Sequence, residues 1–208
     1  MISVSVAGIG GQGNVLAAKI LAQAAKAKGW QVRTAETIGM AQRGGDVISH
    51  VRMGNNNEEV YAPLPAKGTV DVIIALEPGE GARALPYLKQ NGLLVVAKSG
   101  VAPSTVDLKA DPYNPDEVIA SLEKQGVAVS VMDDQALCEQ LGTRKALNIM
   151  MLAHALNVVN NDSRFSENEL CGAISLDDMR DAIVACVKEK FVTMNLNAVD
   201  LVLQSAKV

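Results

Sequence analysis

The stretch that most constrains this chain lies at its start. "ISVSVAG" is a short β-rich run that stops at Gly8. "GIGGQG" occupies Gly8 to Gly13, and "NVLAAKILAQAAKAKG" then runs at helical spacing through Val15, Leu16, Lys19, Ile20 and Gln23. Lys26, Lys28 and Gly29 close it, with glycine where a helix end favours left-handed backbone. A strand that turns on glycines directly into a helix is the opening unit of an α/β fold.

The alternation continues. "WQVRTAE" reads as a second strand, and "DVISHVRMG" alternates, with Val47, Ser49, Val51 and Met53 opposite Ile48, His50 and Arg52. "GNNNEE" reads as a hairpin loop leading into "EVYAPL". "VDVIIALE" is nearly all apolar, as a strand buried on both faces of a parallel sheet must be. A helix is expected through "EGARALPYLKQNG", with Pro86 distorting or bounding it, then a strand at "LLVVAKS". In "NPDEVIASLEKQG", Asn114 is a cap, Pro115 suits the first helical position and Glu117 stands where a capping-box carboxylate would. "VAVSVMD" is a further strand, and "TRKALNIMMLAHALNVV" is a helix apolar on almost every side. Ser166 and Ser175 are read as two more caps, and the chain ends in helix through "FVTMNLNAVDLVLQ". The expectation is one α/β domain over residues 1–208: a mostly parallel, Rossmann-like sheet with helices on both faces and a β-hairpin insertion.

Composition narrows the function. Aromatics are 3% of the chain, so the core rests on aliphatic residues and methionine. A net charge of −4 supplies no basic footprint for nucleic acid or an anionic membrane. No apolar run reaches the roughly 18 residues of a membrane span. The N-terminus reads as no signal peptide, and Cys138, Cys171 and Cys186, scattered and without a CxxC pair, fit a reducing cytoplasm. They form no zinc or iron–sulfur ligand set and read as packing residues.

Two stretches carry chemistry. Gly8, Gly10 and Gly13 make GxGxxG between a strand and a helix, with Gly11 and Gln12 between them. Missing Cβ atoms let backbone approach a ligand, and a helix start attracts anions. Glu36, ending the second strand, stands roughly where a carboxylate would take the ribose of NAD or another nucleotide. The alternative is a tight turn and nothing more. The second stretch, "ETIGMAQRGGDVISHVR", surrounds Met40, Gln42 and Arg43 with Gly39, Gly44 and Gly45. Arg43 offers a fork for carboxylate or phosphate, Met40 adaptable apolar contact and Gln42 a directed amide. Both stretches follow consecutive strands at the carboxyl edge of the sheet, where α/β proteins place their sites. Glu77 either orders the next helix start or lines the same cleft. His50 reads as a structural hydrogen-bonding residue and His154 as a core histidine.

"GIGGQG", "GMAQRGG" with "SHVR", "LEPGEGARALPYL" and "LGTRKALNIMML" together resemble the small, non-thiamine subunit of 2-oxoacid:ferredoxin oxidoreductases. The similarity is to the beta subunit of the indolepyruvate enzymes and to the gamma subunit or domain of the pyruvate enzymes. It covers nearly the whole chain. Ile38 departs from the indolepyruvate type, which usually has histidine before the GMAQRGG glycine. The resemblance implies a partner large subunit that holds thiamine diphosphate, Mg2+ and 4Fe–4S clusters. It implies oxidative decarboxylation of a 2-oxoacid, coenzyme A as acyl acceptor and ferredoxin as electron acceptor. It also implies an isolated chain with no activity of its own. A stand-alone NAD(P)-binding protein and a regulatory relative outside any complex are the competing classes.

Overall fold

The structure, a computed structural model, describes residues 1–39, 45–55, 57–102 and 113–206. Strand β1 (Ile2–Ile9) leads through the glycine turn to helix α1 (Asn14–Ala27). Gly29, at φ 77°, ends it as the sequence predicts, and Trp30 N–H returns to Ala25 O at 3.2 Å. Then come β2 (Gln31–Ile38), β3 (Asp46–Gly54), β4 (Val70–Ala75), α2 (Pro78–Ala84), β5 (Leu88–Ala97), α3 (Pro115–Lys124) and β6 (Ala128–Met132). Helices α4 (Asp134–Leu141), α5 (Leu147–Asn161), α6 (Leu176–Cys186) and α7 (Glu189–Ser205) complete the chain.

The six strands form one sheet in the order β2-β3-β1-β4-β5-β6. β1, β4, β5 and β6 are parallel, whereas β3 runs antiparallel to both β1 and β2. Alternate residues feed two cores. Val4, Val6, Ile74 and Val95 pack with Ile20 of α1, Ile149 of α5, Ile183 of α6 and Val199 of α7. On the opposite face Ile73, Leu94 and Val96 meet Ile119 and Leu122 of α3 and Ala84 of α2. Helices therefore cover both faces, and the apolar run of β4 is buried at every residue.

The hairpin insertion is present, but one loop earlier than the sequence suggests. β2 and β3 are its arms, and residues 39–45 connect them. No strand forms at "EVYAPL". That segment is pinned by side chains instead: Val60 is buried, its N–H donates to Gln31 Oε1, and its carbonyl accepts from Arg33 Nε at 3.3 Å. Arg52 Nη1 donates to Ala62 O at 2.8 Å.

Two further expectations change, and one helix, α4, was not foreseen. α2 stops at Ala84, because Pro86 sits in a 3-10 turn and has no N–H to continue a helix; Leu88–Gly92 then enter β5. Ser166 closes the 3-10 turn Ser163–Phe165 and starts no helix. α4 follows β6 directly, capped by Asp133, whose carboxylate accepts from Ala136 N–H at 3.2 Å. The other caps stand as read. Ser175 forms a capping box with Asp178. Asn114 accepts from Asp116 N–H at 3.1 Å and Pro115 opens α3, but Glu117 receives the Asn114 side-chain amide at 3.0 Å, not the backbone N–H of the cap, so it closes no capping box.

Candidate functional site

β2 and β1 point the same way, because β3 is antiparallel to both. Their carboxyl ends therefore share one edge of the sheet. Gly10 N–H donates to Gly45 O at 2.9 Å, and Gly39 N–H donates to Asp46 O at 2.8 Å. The glycine turn and the two ends of the hairpin connection are thus joined. A side chain at Gly39 would overlap the Asp46 carboxylate, so glycine is needed there. Met40, Gln42, Arg43 and Gly44 lie outside the described residues.

The GIGGQG turn is braced from within. Gln12 Oε1 accepts from Ile9 N–H at 2.7 Å, and its Nε2 reaches Leu76 O at the end of β4 at 3.2 Å. Gln12 is a strut between β1 and β4. Asn14 is buried and donates to Val47 O at 2.7 Å, while its Oδ1 has no partner. Asn148, on α5, donates to Gly13 O at 3.0 Å. Gly13 has φ 89°, and a Cβ there would stand 2.7 Å from Asn148 Nδ2. Gly10 and Gly11 stay exposed; Gly11 has φ 97° and nothing within 4 Å of where its Cβ would stand. α1 begins with no side-chain cap and no acidic residue in its first turn, which leaves its dipole end open to an anion.

Beside this turn, at the end of β4, Glu77 is buried and caps α2 by accepting Glu80 N–H at 2.9 Å. Tyr113 donates its hydroxyl to Glu77 Oε1 and accepts Gly79 N–H at 3.1 Å. Burial, then the bond to the Glu77 carboxylate, push the Tyr113 phenol up, so it stays a donor. Glu80 is also buried; burial raises its pKa, the Arg83 guanidinium 2.7 Å away opposes this, and Asp46 and Glu77 add to it. Of the two roles open to Glu77, the structure fills the first: it orders a helix start.

Glu36 stands elsewhere. It pairs across to Ser49, which pairs to Val6, so β3 lies between Glu36 and the glycine turn. In a dinucleotide fold that carboxylate ends the strand next to β1. Here its side chain lines a groove of about 300 Å³ between β2 and α1. His50 bonds Ser5 Oγ and His154 bonds Ser130 Oγ, each at 2.9 Å, and burial lowers both pKa values. They behave as the structural histidines expected. The sequence reading did not find one polar cluster on the same sheet edge. Asp134, fully buried, accepts Ser99 N–H at 2.8 Å, the Ser99 hydroxyl, and Arg144 Nη2 at 2.8 Å. "TRKALN" held its clue: Arg144 and Asn148 lie four residues apart, and each reaches one site of the carboxyl edge.

These features define a class: an α/β protein whose carboxyl-edge loops are braced by its own amides and exposed at two glycines. Among the described residues, no group of three or more His, Cys, Asp or Glu is placed to hold a metal. The chain belongs to the pyruvate ferredoxin/flavodoxin oxidoreductase family, which it matches over residues 3–205. It is 33% identical over 201 residues to indolepyruvate oxidoreductase subunit IorB of Archaeoglobus fulgidus, covering 96% of this chain and 92% of that one. Its fold is similar to the gamma subunit of a keto/oxoacid ferredoxin oxidoreductase of Geobacter sulfurreducens (TM-score 0.66, 22% identity, 99% of this chain and 98% of that). It also resembles 31% of a 2-oxoglutarate:ferredoxin oxidoreductase chain of Magnetococcus marinus, with TM-score 0.66, 20% identity and 99% of this chain covered. The chain is an oxidoreductase subunit of this family, and the stand-alone NAD(P)-binding reading falls away.

Proposed function

We propose that this chain, folded as one unit over residues 1–208, is the non-thiamine subunit of a cytoplasmic 2-oxoacid:ferredoxin oxidoreductase. The complex decarboxylates an arylpyruvate or pyruvate-like 2-oxoacid and passes the acyl group to coenzyme A. The partner large subunit holds thiamine diphosphate, Mg2+ and the 4Fe–4S clusters, and ferredoxin takes the electrons. Support comes from the relatives' names and from the donor sets of this chain. Cys138 in α4, Cys171 and Cys186 at the end of α6 are separate thiols, unsuited to a cluster. The Magnetococcus relative was solved with coenzyme A and succinyl-CoA bound.

The observation that carries the proposal is the bond from Gly10 to Gly45. It ties the glycine turn to Gly45, where the GMAQRGG stretch ends. Gly8, Gly10, Gly11, Gln12 and Gly13, with Gly39, Met40, Gln42, Arg43, Gly44 and Gly45, form the face turned toward the large subunit and coenzyme A. The residues fit an anionic group of coenzyme A: exposed glycine backbone and an uncapped helix start with no acidic residue in its first turn. The chain's part is to bind, orient and exclude water; the thiamine group of the partner supplies the carbanion chemistry.

Reconstitution tests this. The purified chain gives no turnover alone. With the large subunit it supports ferredoxin reduction that depends on both 2-oxoacid and coenzyme A, and a panel of 2-oxoacids then identifies the substrate. Turnover by the chain alone overturns the proposal. So does calorimetric NAD(P)H binding at micromolar affinity, about −8 kcal/mol, abolished by Gly10→Val.

A further inference from the structure

We propose that two copies of this chain pair through the outer edge of β2, running antiparallel about a twofold axis at Ala35, to form one continuous sheet. The two ends of the sheet differ. β6 is a five-residue edge, whereas β2 is an eight-residue edge with an unbroken register against β3. β2 contains no proline, lysine or bulge, and its two charged residues, Arg33 and Glu36, are of opposite sign.

The ladder shows which groups are free. Gly39 N–H bonds the carbonyl of its opposite residue, Asp46, so Gly39 belongs to a hydrogen-bonded pair. Such pairs alternate along an antiparallel ladder. Residues 31, 33, 35 and 37 therefore bond β3, and Val32, Thr34, Glu36 and Ile38 turn their N–H and C=O groups outward. Among the described residues, no other backbone group bonds these four. Thr34, Glu36 and Ile38 are exposed, Ile38 to 67%.

The occupant follows from the sequence of the strand. Two copies related by a twofold axis normal to the sheet pair residues of equal parity. Centring the axis on Ala35 sets Val32 against Ile38 and Thr34 against Glu36, each twice. All four outward residues are used, giving about eight inter-chain hydrogen bonds. Centring it on Thr34 leaves Ile38 unpaired. On the other face Ala35 meets Ala35 at the axis, with Arg33 set against Thr37 and Gln31 against Gly39; within their own chain Arg33 and Gln31 are held at Val60. The outward residues also face the groove over α1, where Lys19 and Lys26 stand. Glu36 of a second copy enters on that side, so the charges match as well. Because the copies run antiparallel, their glycine-loop edges point in opposite directions and each stays open to its own large subunit.

The full chain tests the inference. Sedimentation of the wild type gives a dimer. Thr34→Pro removes an outward N–H without touching the β3 ladder; it raises the dimer dissociation constant more than about tenfold while the melting temperature of the chain is kept. Residue 35 faces itself in a non-hydrogen-bonded pair, with Cα atoms about 4.5 Å apart, which a disulfide spans. Ala35→Cys therefore cross-links to a dimer under mild oxidation, and peptide mapping finds residue 35 joined to residue 35. Arg33→Cys, which faces Thr37, does not self-link. A wild type that stays monomeric, or an Ala35→Cys chain that cross-links no faster than Arg33→Cys, overturns the inference. So does a monomeric chain whose Thr34→Pro variant fails to bind the large subunit, since the edge then belongs to that subunit. None of these readouts requires catalytic activity, so they stand apart from the reconstitution assay.

Discussion

The two halves of the sheet are built from opposite materials. Apart from Asp71, β4 and most of β5 are buried aliphatic residues with helices on both sides. The hairpin half, β2 and β3, is wider than α1 can cover. Its second face carries Arg33, Arg52, His50 and Thr37, and its outer strand is largely exposed. A sheet shared in this way separates two tasks: the parallel half supplies most of the core, and the hairpin half, which gives it Val51 and Met53 from one face of β3, can carry polar and exposed residues for contact on the rest of its surface.

The largest expected effect lies in the parallel half. Leu94→Ala empties a fully buried site between β5 and α3 and costs about 2–5 kcal/mol in denaturant unfolding. A cost below about 1 kcal/mol would break the contrast. Next comes Arg144→Ala, which leaves the buried Asp134 carboxylate with only Ser99 as partner. A loss of about 1–3 kcal/mol is expected by the same measurement.

Acid sharpens the comparison, because each half holds one neutral histidine. His50 faces Ser5 in the hairpin half and His154 faces Ser130 beside β6. Burial keeps both pKa values below the ordinary 6.5. Each therefore takes up a proton more readily when the chain unfolds. Their contribution is complete above about pH 6.5 and is lost as pH falls through and below it. Melting temperature should decline below that pH, and His50→Gln or His154→Gln should each flatten the decline. The smallest effects belong to exposed hairpin positions. Thr37→Ala should change stability by less than about 0.5 kcal/mol. On the function proposed for the GMAQRGG stretch, Arg43→Ala should change the stability of the free chain by less than about 0.5 kcal/mol, yet weaken assembly or coenzyme A use in the complex by about 2–5 kcal/mol. A large drop in melting temperature would make Arg43 structural instead.

Much of the parallel half was legible, because burial on both faces leaves an unbroken apolar run and helix ends leave caps such as Ser175 and Gly29. The hairpin was displaced by one loop because "GNNNEE" has stronger turn chemistry than the connection at 39–45. No local pattern shows that Val60 is a single anchor held by Gln31 and Arg33. Glu36 was placed near the glycine turn on the assumption that β2 adjoins β1; the intrusion of β3 is a pairing fact, invisible in spacing. The glycine turn itself was legible as a strand-to-helix junction. Its bracing was not, since Gln12 meets Leu76, and Asn148 meets Gly13, across long stretches of chain.

The insertion of β3 also orders events during synthesis. β1 leaves the ribosome first, but both its neighbours come later: β3 begins at Asp46 and β4 at Val70. The hairpin can close on itself from local contacts, while β1 must wait for it and is flanked on both sides only after Ala75 has emerged. The N-terminal strand is thus held open for the time taken to make about seventy residues, several seconds at ordinary elongation rates. Arrested nascent chains of increasing length should gain protease resistance in β1 only after β4 is clear of the exit tunnel.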